Sequence, residues 1–504
     1  MNLLDLFAIP LQRSPDKVVL RFRDEEGAQT DLTTADLFAD ARRIAAGLAA
    51  RGVGPGDRVA FFLGNGPEFV TALLALFHLG AVLVPINLAY RRREITHMLA
   101  DAGPRLLLTE RSWMPILDEL AAEERAGVEM LFAEELSAWP EDPGFVPSRV
   151  DGSDLAMLLY TSGTTGRSKG AMISHDNVLA TVTGLLAAWD WQPDDVLLLT
   201  LPLFHTHGLV VGLCCALAAG ATVLLRRRFD AATTAAELRD GGPTLFFGVP
   251  TMYVRLVEEL GRVEDRSGHL SGLGRMRLFC SGSAPLAPET FAAFRDLTGH
   301  SILERYGMTE TGMNLSNPYA GLRLPGTVGT PLPGVSARIA ADGELLVRGG
   351  NVFSGYWRAP EKTAESFVPD PPSDGGGQLW FRTGDLASRD PQTGYFSLLG
   401  RRHELILSGG FNVYPREVEE VLTSFPGVRE AAVVGRPHPE WGEVPVAFLV
   451  MEGEGRTVDE AGLIAFCKSR IAGFKVPRTF HVIDALPRNA LGKVQKHLLP
   501  ALPA

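Results

Sequence analysis

Tyr160-Thr-Ser-Gly-Thr-Thr-Gly-Arg-Ser-Lys-Gly170 follows the apolar run Leu155-Ala-Met-Leu-Leu159, and the pair reads as a buried strand leaving into a loop of small polar residues. Eight of the ten residues after Tyr160 are Gly, Ser or Thr, and the other two, Arg167 and Lys169, are cationic. Such a loop can aim backbone N–H groups and hydroxyls at phosphate oxygens while Arg and Lys add charge, which implies a nucleoside triphosphate ligand. It is not a Walker A loop, because Gly163 and Gly166 are three apart and Lys169 is followed by Gly170 rather than Ser or Thr. Taken alone, the same composition also suits a flexible surface loop.

Outward from this loop, short apolar runs alternate with helical segments. Val59–Leu63 predicts a strand, Pro67–Leu79 a helix and Ala81–Val84 a strand. Leu106–Thr109, Glu129–Phe132, Val196–Leu199, Ala221–Leu225, Thr244–Phe247 and Arg277–Cys280 predict further strands. This alternation predicts parallel, doubly wound α/β sheets with helices on both faces. The apolar regions Phe69–Pro85 and Val196–Leu225 are broken by His, Gly and Pro, so they read as helix-plus-strand units rather than membrane spans of ~18–20 residues. After Gly326 the pattern shortens: Ser336–Ala340 and Glu344–Arg348 suggest antiparallel β structure, and Pro369–Gly377 a loop. A domain boundary is expected near Gly400, followed by an α+β unit with helices Arg416–Thr423 and Val458–Ser469 and strands Glu430–Gly435, Val444–Val450 and Thr479–Ile483.

Composition narrows the class. At 504 residues, more than one domain is expected. A hydrophobic content of 46% and a charged content of 21% are globular values. The net charge of −11 argues against a general nucleic-acid or anionic-membrane surface, so anionic ligands must meet local cations. Cys214, Cys215, Cys280 and Cys467 lack metal spacing and read as small core hydrophobes in a reducing, cytoplasmic setting. The N-terminus carries an early Asp5 and no basic run, unlike a signal peptide.

Further motifs follow in order: Phe204-His-Thr-His-Gly208, Ser281-Gly-Ser-Ala-Pro285, Arg305-Tyr-Gly-Met-Thr-Glu310, Arg382-Thr-Gly-Asp385, Gly400-Arg401 and Pro487-Arg-Asn-Ala-Leu-Gly-Lys493. With the Tyr160 loop they make the chain resemble, over essentially its whole length, the adenylate-forming superfamily of acyl-CoA synthetases, luciferases and peptide-synthetase adenylation domains. The resemblance implies a large N-terminal domain, residues 1–400, of doubly wound αβαβα subdomains plus a distorted β-barrel, and a small mobile α+β domain, residues 401–504, carrying Lys493. It implies ATP, Mg²⁺ and coenzyme A as ligands, and an acyl-adenylate converted to a thioester.

The nucleotide would be held by Thr161, Ser162, Gly163, Thr164, Thr165, Gly166 and Lys169, by Gly282, Ser283, Ala284 and Pro285, and by Arg305, Tyr306, Gly307 and Met308. Tyr306 offers an aromatic face for adenine, Thr309 a hydroxyl for the α-phosphate, and Glu310, with Thr165, oxygen ligands for Mg²⁺. Without the motif, Glu310 would read as a helix carboxylate on a solvated face, Asp385 as a turn Asp, and Lys493 as a solvated tail lysine. By resemblance Asp385 and Arg401 contact the ribose or a phosphate, and Lys493 bridges carboxylate and α-phosphate, a role suited to a compact point charge. Ser408-Gly409-Gly410-Phe411 matches a segment lining a pantetheine tunnel, where glycines let a thin arm approach. His403 stands at the hinge position, where relatives carry Asp or Lys.

Within the superfamily the chain resembles malonyl-CoA synthetases, on Leu203–Leu209, Gly248–Arg255, Glu304–Tyr319 and Gly409–Tyr414. That likeness places Arg255, helped by Ser281, on a second substrate carboxylate, which a buried site must pair. It also places Thr206 and Met313 around a small acyl pocket and His205 near the reacting carboxylate. The residues alone leave Arg255 open between pocket group and surface helix arginine. Gly312 replaces an Asn common in those relatives, and Glu258–Leu273 is longer than in them. The expected product is malonyl-CoA or methylmalonyl-CoA. A fatty or aryl monocarboxylate–CoA ligase and an adenylation module loading a carrier protein are the alternatives, and the oligomeric state, monomer or homodimer, stays open.

Overall fold

The computed structural model of the chain describes residues 2–121, 123–125, 127–161, 168–262, 271–370, 379–408, 411–438, 441–453, 458–489 and 492–500. Ser162–Arg167, Gly409 and Gly410, and half of the Glu258–Leu273 insertion therefore lie outside the described residues.

The backbone separates into two compact units. One comprises Met1–Pro325, Gly329–Ser336 and Val347–Phe381, the other Gly326–Val328, Ala337–Leu346 and Arg382–Ala504. The first unit is built on two sheets. In the six-stranded sheet the order is Glu129–Phe132, Leu106–Thr109, Arg58–Phe62, Val82–Pro85, Leu155–Thr161 and Lys169–Ser174. Its first five strands are parallel. The last is antiparallel, with Tyr160 opposite Gly170 and Thr161 opposite Lys169. The phosphate-type loop thus joins two strands of a hairpin.

The nine-stranded sheet has a parallel centre, Leu303–Met308, Leu278–Ser281, Leu245–Gly248, Val196–Leu199, Thr222–Arg226 and Val18–Arg23. Antiparallel strands Gln29–Thr33 and Gly312–Ser316 flank it, and Thr330–Pro331 extends the latter side. The sheets are parallel at their centres, as expected, and the antiparallel strands at their margins were not legible: strand pattern reports burial, and strands buried on both faces read alike whichever way they run.

The helix Pro67–Leu79 begins at Gly66 with Pro67 in its first turn and ends at left-handed Gly80 (φ 64°). It is apolar nearly all round because it is buried nearly all round. The region Val196–Leu225 departs from a plain helix plus strand: His207–Cys214 is a fully buried π-helical turn running into Cys215–Ala219. A side chain at Gly208 would lie 2.4 Å from the Pro202 carbonyl oxygen, so this turn packs directly on the Leu201–Pro202 backbone.

In the second unit, Ala340–Gly343 closes a turn between Ala337–Ile339 and Glu344–Leu346, the parts of strands Val335–Ile339 and Glu344–Gly349 that belong to it. Leu379–Arg389 pairs antiparallel with Phe396–Arg401, setting Asp385 opposite Arg401. The remainder is a sheet of Phe411–Val413, Ile406–Ser408, Gly442–Met451 and Val428–His438, with Thr479–Val482 parallel to Gly442–Met451. Helices Pro415–Thr423 and Glu460–Lys468 bury Val418, Leu422, Leu463 and Cys467 against it. All four cysteines are buried and free. Among the described residues no helix is long and apolar enough to cross a membrane.

Candidate active site

In the first unit a cleft opens beyond the carboxyl ends of Val82–Pro85 and Leu155–Thr161, where parallel sheets bind ligands. Tyr90, Tyr160, Phe204, His205, Thr206 and Thr309 line it, so three of the sequence motifs converge on one space.

The stems of the Tyr160 loop are held by one helix, Arg92–Ala102. Tyr160 donates its phenol to Asp101 Oδ2 at 2.5 Å, and His97 Nε2 donates to the Ser168 carbonyl at 2.8 Å. Burial, then the Asp101 carboxylate, holds the Tyr160 phenol well above its usual range. His97 and Asp101 lie four residues apart and so share a helix face. Their partners are over fifty residues away, which hid them in the sequence.

Thr309–Thr311 forms a single 3-10 turn between strands. Glu310 is buried there, 6% exposed, and accepts from the Tyr356 hydroxyl at 3.0 Å; the reading as a solvated helix carboxylate is excluded. Asn351 Nδ2 donates to the Thr311 and Met313 carbonyls at 2.6 and 3.1 Å, bracing the turn. The departure at Gly312 has a local cause: its φ is 53°, and a Cβ would sit 2.3 Å from Thr181 Oγ1. A buried carboxylate beside the cleft-lining Thr309 supplies the hard oxygen donors that Mg²⁺ takes.

Tyr306 is buried, with its hydroxyl 3.8 Å from Met308 Sδ. Met313 is buried against the open face of Gly307, where a Cβ would lie 2.9 Å from its sulfur. At Ser281-Gly-Ser the missing side chain of Gly282 has a neighbour within the protein. A Cβ at Gly282 would lie 2.3 Å from Arg305 Cζ, so the Arg305 guanidinium occupies that space. Ser283 has φ 70°, and its hydroxyl is 3.3 Å from His207 Nδ1.

Several buried polar groups around this point have no partner among the described residues: Arg305 Nε and Nη2, Ser281 Oγ, Thr206 Oγ1 and His207 Nε2. Burial lowers the basicity of Arg305, opposed by the neighbouring Cys280. Burial, then the Arg305 charge, depresses His205 to about 4 and holds His207 well below its normal value. Both imidazoles are therefore neutral at pH 7, which leaves Arg305 as the cation of this cluster. Arg255 lies elsewhere on its helix: Pro250–Gly261 buries Tyr253, Leu256 and Leu260, whereas Arg255 and Val254 are exposed.

In the second unit Asp385 is buried and paired with Arg401, Nε to Oδ1 at 2.8 Å. Gly384, at φ 72°, turns the strand, and its N–H donates to Glu344 Oε1 at 2.9 Å. Glu344 also takes Arg402 at 2.8 Å and Arg382, a brace absent from the sequence reading. Lys493 stands within electrostatic reach of this pair. Burial, then Arg401, lowers its basicity, while Asp385 and Glu404 pull the other way. His403 is half-exposed, and burial is the larger cause of its lowered basicity, with Glu404 opposing. The structure thus brings together His205, Thr206 and Thr309 in one unit and Asp385, Arg401 and Lys493 in the other.

Residues 7–357 match the AMP-binding enzyme family, and residues 417–493 match the AMP-binding enzyme C-terminal domain. The chain is similar to a feruloyl-CoA synthase of Amycolatopsis sp, 36% identical over 93% of both chains. It is similar to the mitochondrial malonate–CoA ligase ACSF3 of Bos taurus, 35% identical over 87% of this chain and 80% of that one. Among solved structures it resembles ATP-bound MatB from Rhodopseudomonas palustris, with a TM-score of 0.87 and 40% identity over 99% of this chain and 98% of that one. The chain belongs to the AMP-binding enzyme family, with its adenylate-forming fold of a large N-terminal α/β domain and a small C-terminal domain, and is an AMP-forming acid–CoA ligase.

Proposed function

We propose that this enzyme joins a short dicarboxylate, malonate or methylmalonate, to coenzyme A at the expense of ATP. The observation that carries the reading is Arg305, a buried guanidinium with two unpartnered nitrogens beside the unpartnered Ser281 hydroxyl's own strand end. An uncompensated buried cation is costly, and a substrate carboxylate supplies the missing charge with geometry that guanidinium suits. Its neutral neighbours His205 and His207 add hydrogen bonding without competing for the anion. Arg255, on the exposed helix face, is the second candidate for that carboxylate.

In the first half-reaction a carboxylate oxygen attacks the α-phosphorus of ATP, and the bond to pyrophosphate breaks. Thr309 offers a hydroxyl and Lys493 a compact cation for the charge developing on the α-phosphate. Glu310, with Thr165, would hold Mg²⁺, which neutralises phosphate charge when bound. Tyr306 and the Gly282–Pro285 segment flank the adenine, and Asp385 and Arg401 hold the ribose. In the second half-reaction the coenzyme A sulfur attacks the acyl carbon, AMP leaves, and the thiol proton passes to solvent. No protein nucleophile is used; rate comes from positioning and charge.

The 36% identity to a feruloyl-CoA synthase favours a second reading, an aryl monocarboxylate substrate. Thioester formation with ATP and Mg²⁺ across malonate, methylmalonate, succinate, acetate, octanoate and ferulate separates the two. Preference for malonate or methylmalonate supports the proposal, and preference for ferulate or a fatty acid overturns it.

A further inference from the structure

The loop that presents Lys493 is a hairpin closed at its base. Gln495 N donates to the Pro487 carbonyl at 2.7 Å, and Arg488 bridges to Val494. Asn489 and Lys493 exchange two hydrogen bonds, Asn489 N to the Lys493 carbonyl and Lys493 N to Asn489 Oδ1, both at 2.9 Å. Residues 487–489 and 492–495 are thus tied to one another, so the base of the hairpin constrains where Lys493 lies.

Two charged side chains, Arg488 and Lys496, anchor the base among the described residues. Arg488 pairs with Glu430 at 2.9 Å, but both side chains are about a third exposed, where such pairs contribute little. The other anchor is Lys496, which opens the short turn Lys496–Leu498 directly after the hairpin. Its ammonium lies 2.7 Å from Glu419 Oε1 and 3.2 Å from Glu404 Oε2 and is largely buried. Glu419 Oε1 also accepts from Val433 N at 2.7 Å, tying the triad to helix Pro415–Thr423 and strand Val428–His438. Glu404 belongs to the turn Arg402–Glu404, the continuation of the strand ending at Arg401. Burial pulls the Lys496 ammonium toward neutrality, but Glu419 and Glu404 outweigh it, so Lys496 stays charged.

We propose that Lys496 is a positioning residue for the first half-reaction, holding the Lys493 hairpin to the turn beyond Arg401 and so setting Lys493 against the Asp385–Arg401 pair. This inference rests on the reading of Lys493 as the charge-stabilising lysine of that step. The same clamp has no bearing on thiol attack, which does not call on Lys493.

The test separates the half-reactions: acid-dependent ATP–pyrophosphate exchange, and thioester formation from chemically prepared acyl-adenylate and coenzyme A, with the acid the wild-type enzyme uses best. In Lys496→Met the exchange kcat falls about tenfold or more, KM for ATP and acid and the thioester step stay within about twofold, and Lys496→Arg recovers about half the loss. Equal losses in both half-reactions, or an unchanged exchange rate, overturn the inference. If Lys496→Met is insoluble, Glu404→Gln, which removes one partner and leaves the lysine, is read by the same split. Lys493→Ala is the control: if it keeps normal exchange, the reading of Lys493 has failed; if it loses exchange while Lys496→Met does not, only the present inference has.

Discussion

Arg305 shows how a single residue can be unfavourable for the fold and necessary for the site. Its guanidinium is buried, two of its nitrogens have no partner, and Gly282 is left without a side chain to make room for it. Replacing it with Met removes a desolvated charge while keeping bulk, so Arg305→Met should melt at the same temperature as wild type or higher without substrate. The same variant should lose about 10–100-fold in kcat/KM for malonate, the worth of one charged hydrogen-bonding partner of about 1.5–3 kcal/mol. Scanning calorimetry and thioester kinetics read the two effects, and a lower melting temperature with unchanged kinetics would contradict both. Gly282→Ala should act on the same cation from outside, because its methyl cannot coexist with the guanidinium where it lies. Thioester kinetics should then fall further for malonate than for a monocarboxylate, with the monocarboxylate reporting any effect on the adenine side. Legibility at this scale was uneven. Glu310 and Asp385 stood out as motif positions, but their burial and their partners Tyr356 and Arg401 did not. The orphaned state of Arg305 could not be read from a string of letters, because it depends on what fails to reach it in space.

The helix Arg92–Ala102 looks unremarkable in sequence, yet it grips both stems of the phosphate-type loop through His97 and Asp101. Asp101→Ala frees the Tyr160 hydroxyl and loosens one stem. The expected result is a rise of about 5–30-fold in KM for ATP, from loss of a hydrogen bond of about 1–2 kcal/mol to a charged acceptor, with KM for the acid unchanged. Steady-state kinetics with each substrate varied in turn measures this, and equal changes in both would show general loosening instead. Element types were otherwise legible. The helix Pro67–Leu79 has Gly66, Pro67 and Gly80 as its punctuation, and the core strands are apolar runs of the expected length. Two features escaped: the antiparallel edge strands and the π-helical turn His207–Cys214. Strand direction depends on how a loop reconnects, and the π turn on packing of Gly208 and Gly212 against Pro202 and Leu199.

At the scale of the whole molecule, buried histidines couple stability to pH. Burial is the leading cause that lowers His78, His175 and His205 to about 4, and His207 lower still. In the unfolded chain these groups take up protons near pH 6.5. The folded state therefore binds fewer protons between about 6.5 and 4, so stability is full above that window and falls as pH drops through it. The melting temperature should decline from about pH 6.5 toward pH 4, and a flat profile across that range would show that these imidazoles are not buried neutral. Each compact unit has its own buried cluster, Phe246, Tyr253, Phe279 and Phe294 in the first and Val418, Leu422, Val433 and Leu449 in the second. Unfolding should accordingly exceed one two-state step, with a calorimetric enthalpy larger than the van't Hoff value.

By itself the sequence determined the chemistry available to this protein: a Gly/Ser/Thr loop for phosphates, a terminal-region lysine, and motifs in the order of an acid–CoA ligase. It also determined the α/β class, because buried strands and capped helices leave local signatures in hydrophobic period and in Gly and Pro. Tertiary structure alone decided which charges meet. Arg305 under Gly282, Asp101 with Tyr160, and Lys496 between Glu404 and Glu419 all depend on residues distant in the chain. The physical reason is that electrostatic and hydrogen-bond energies depend on separation in space and on burial, neither of which has a period along a sequence.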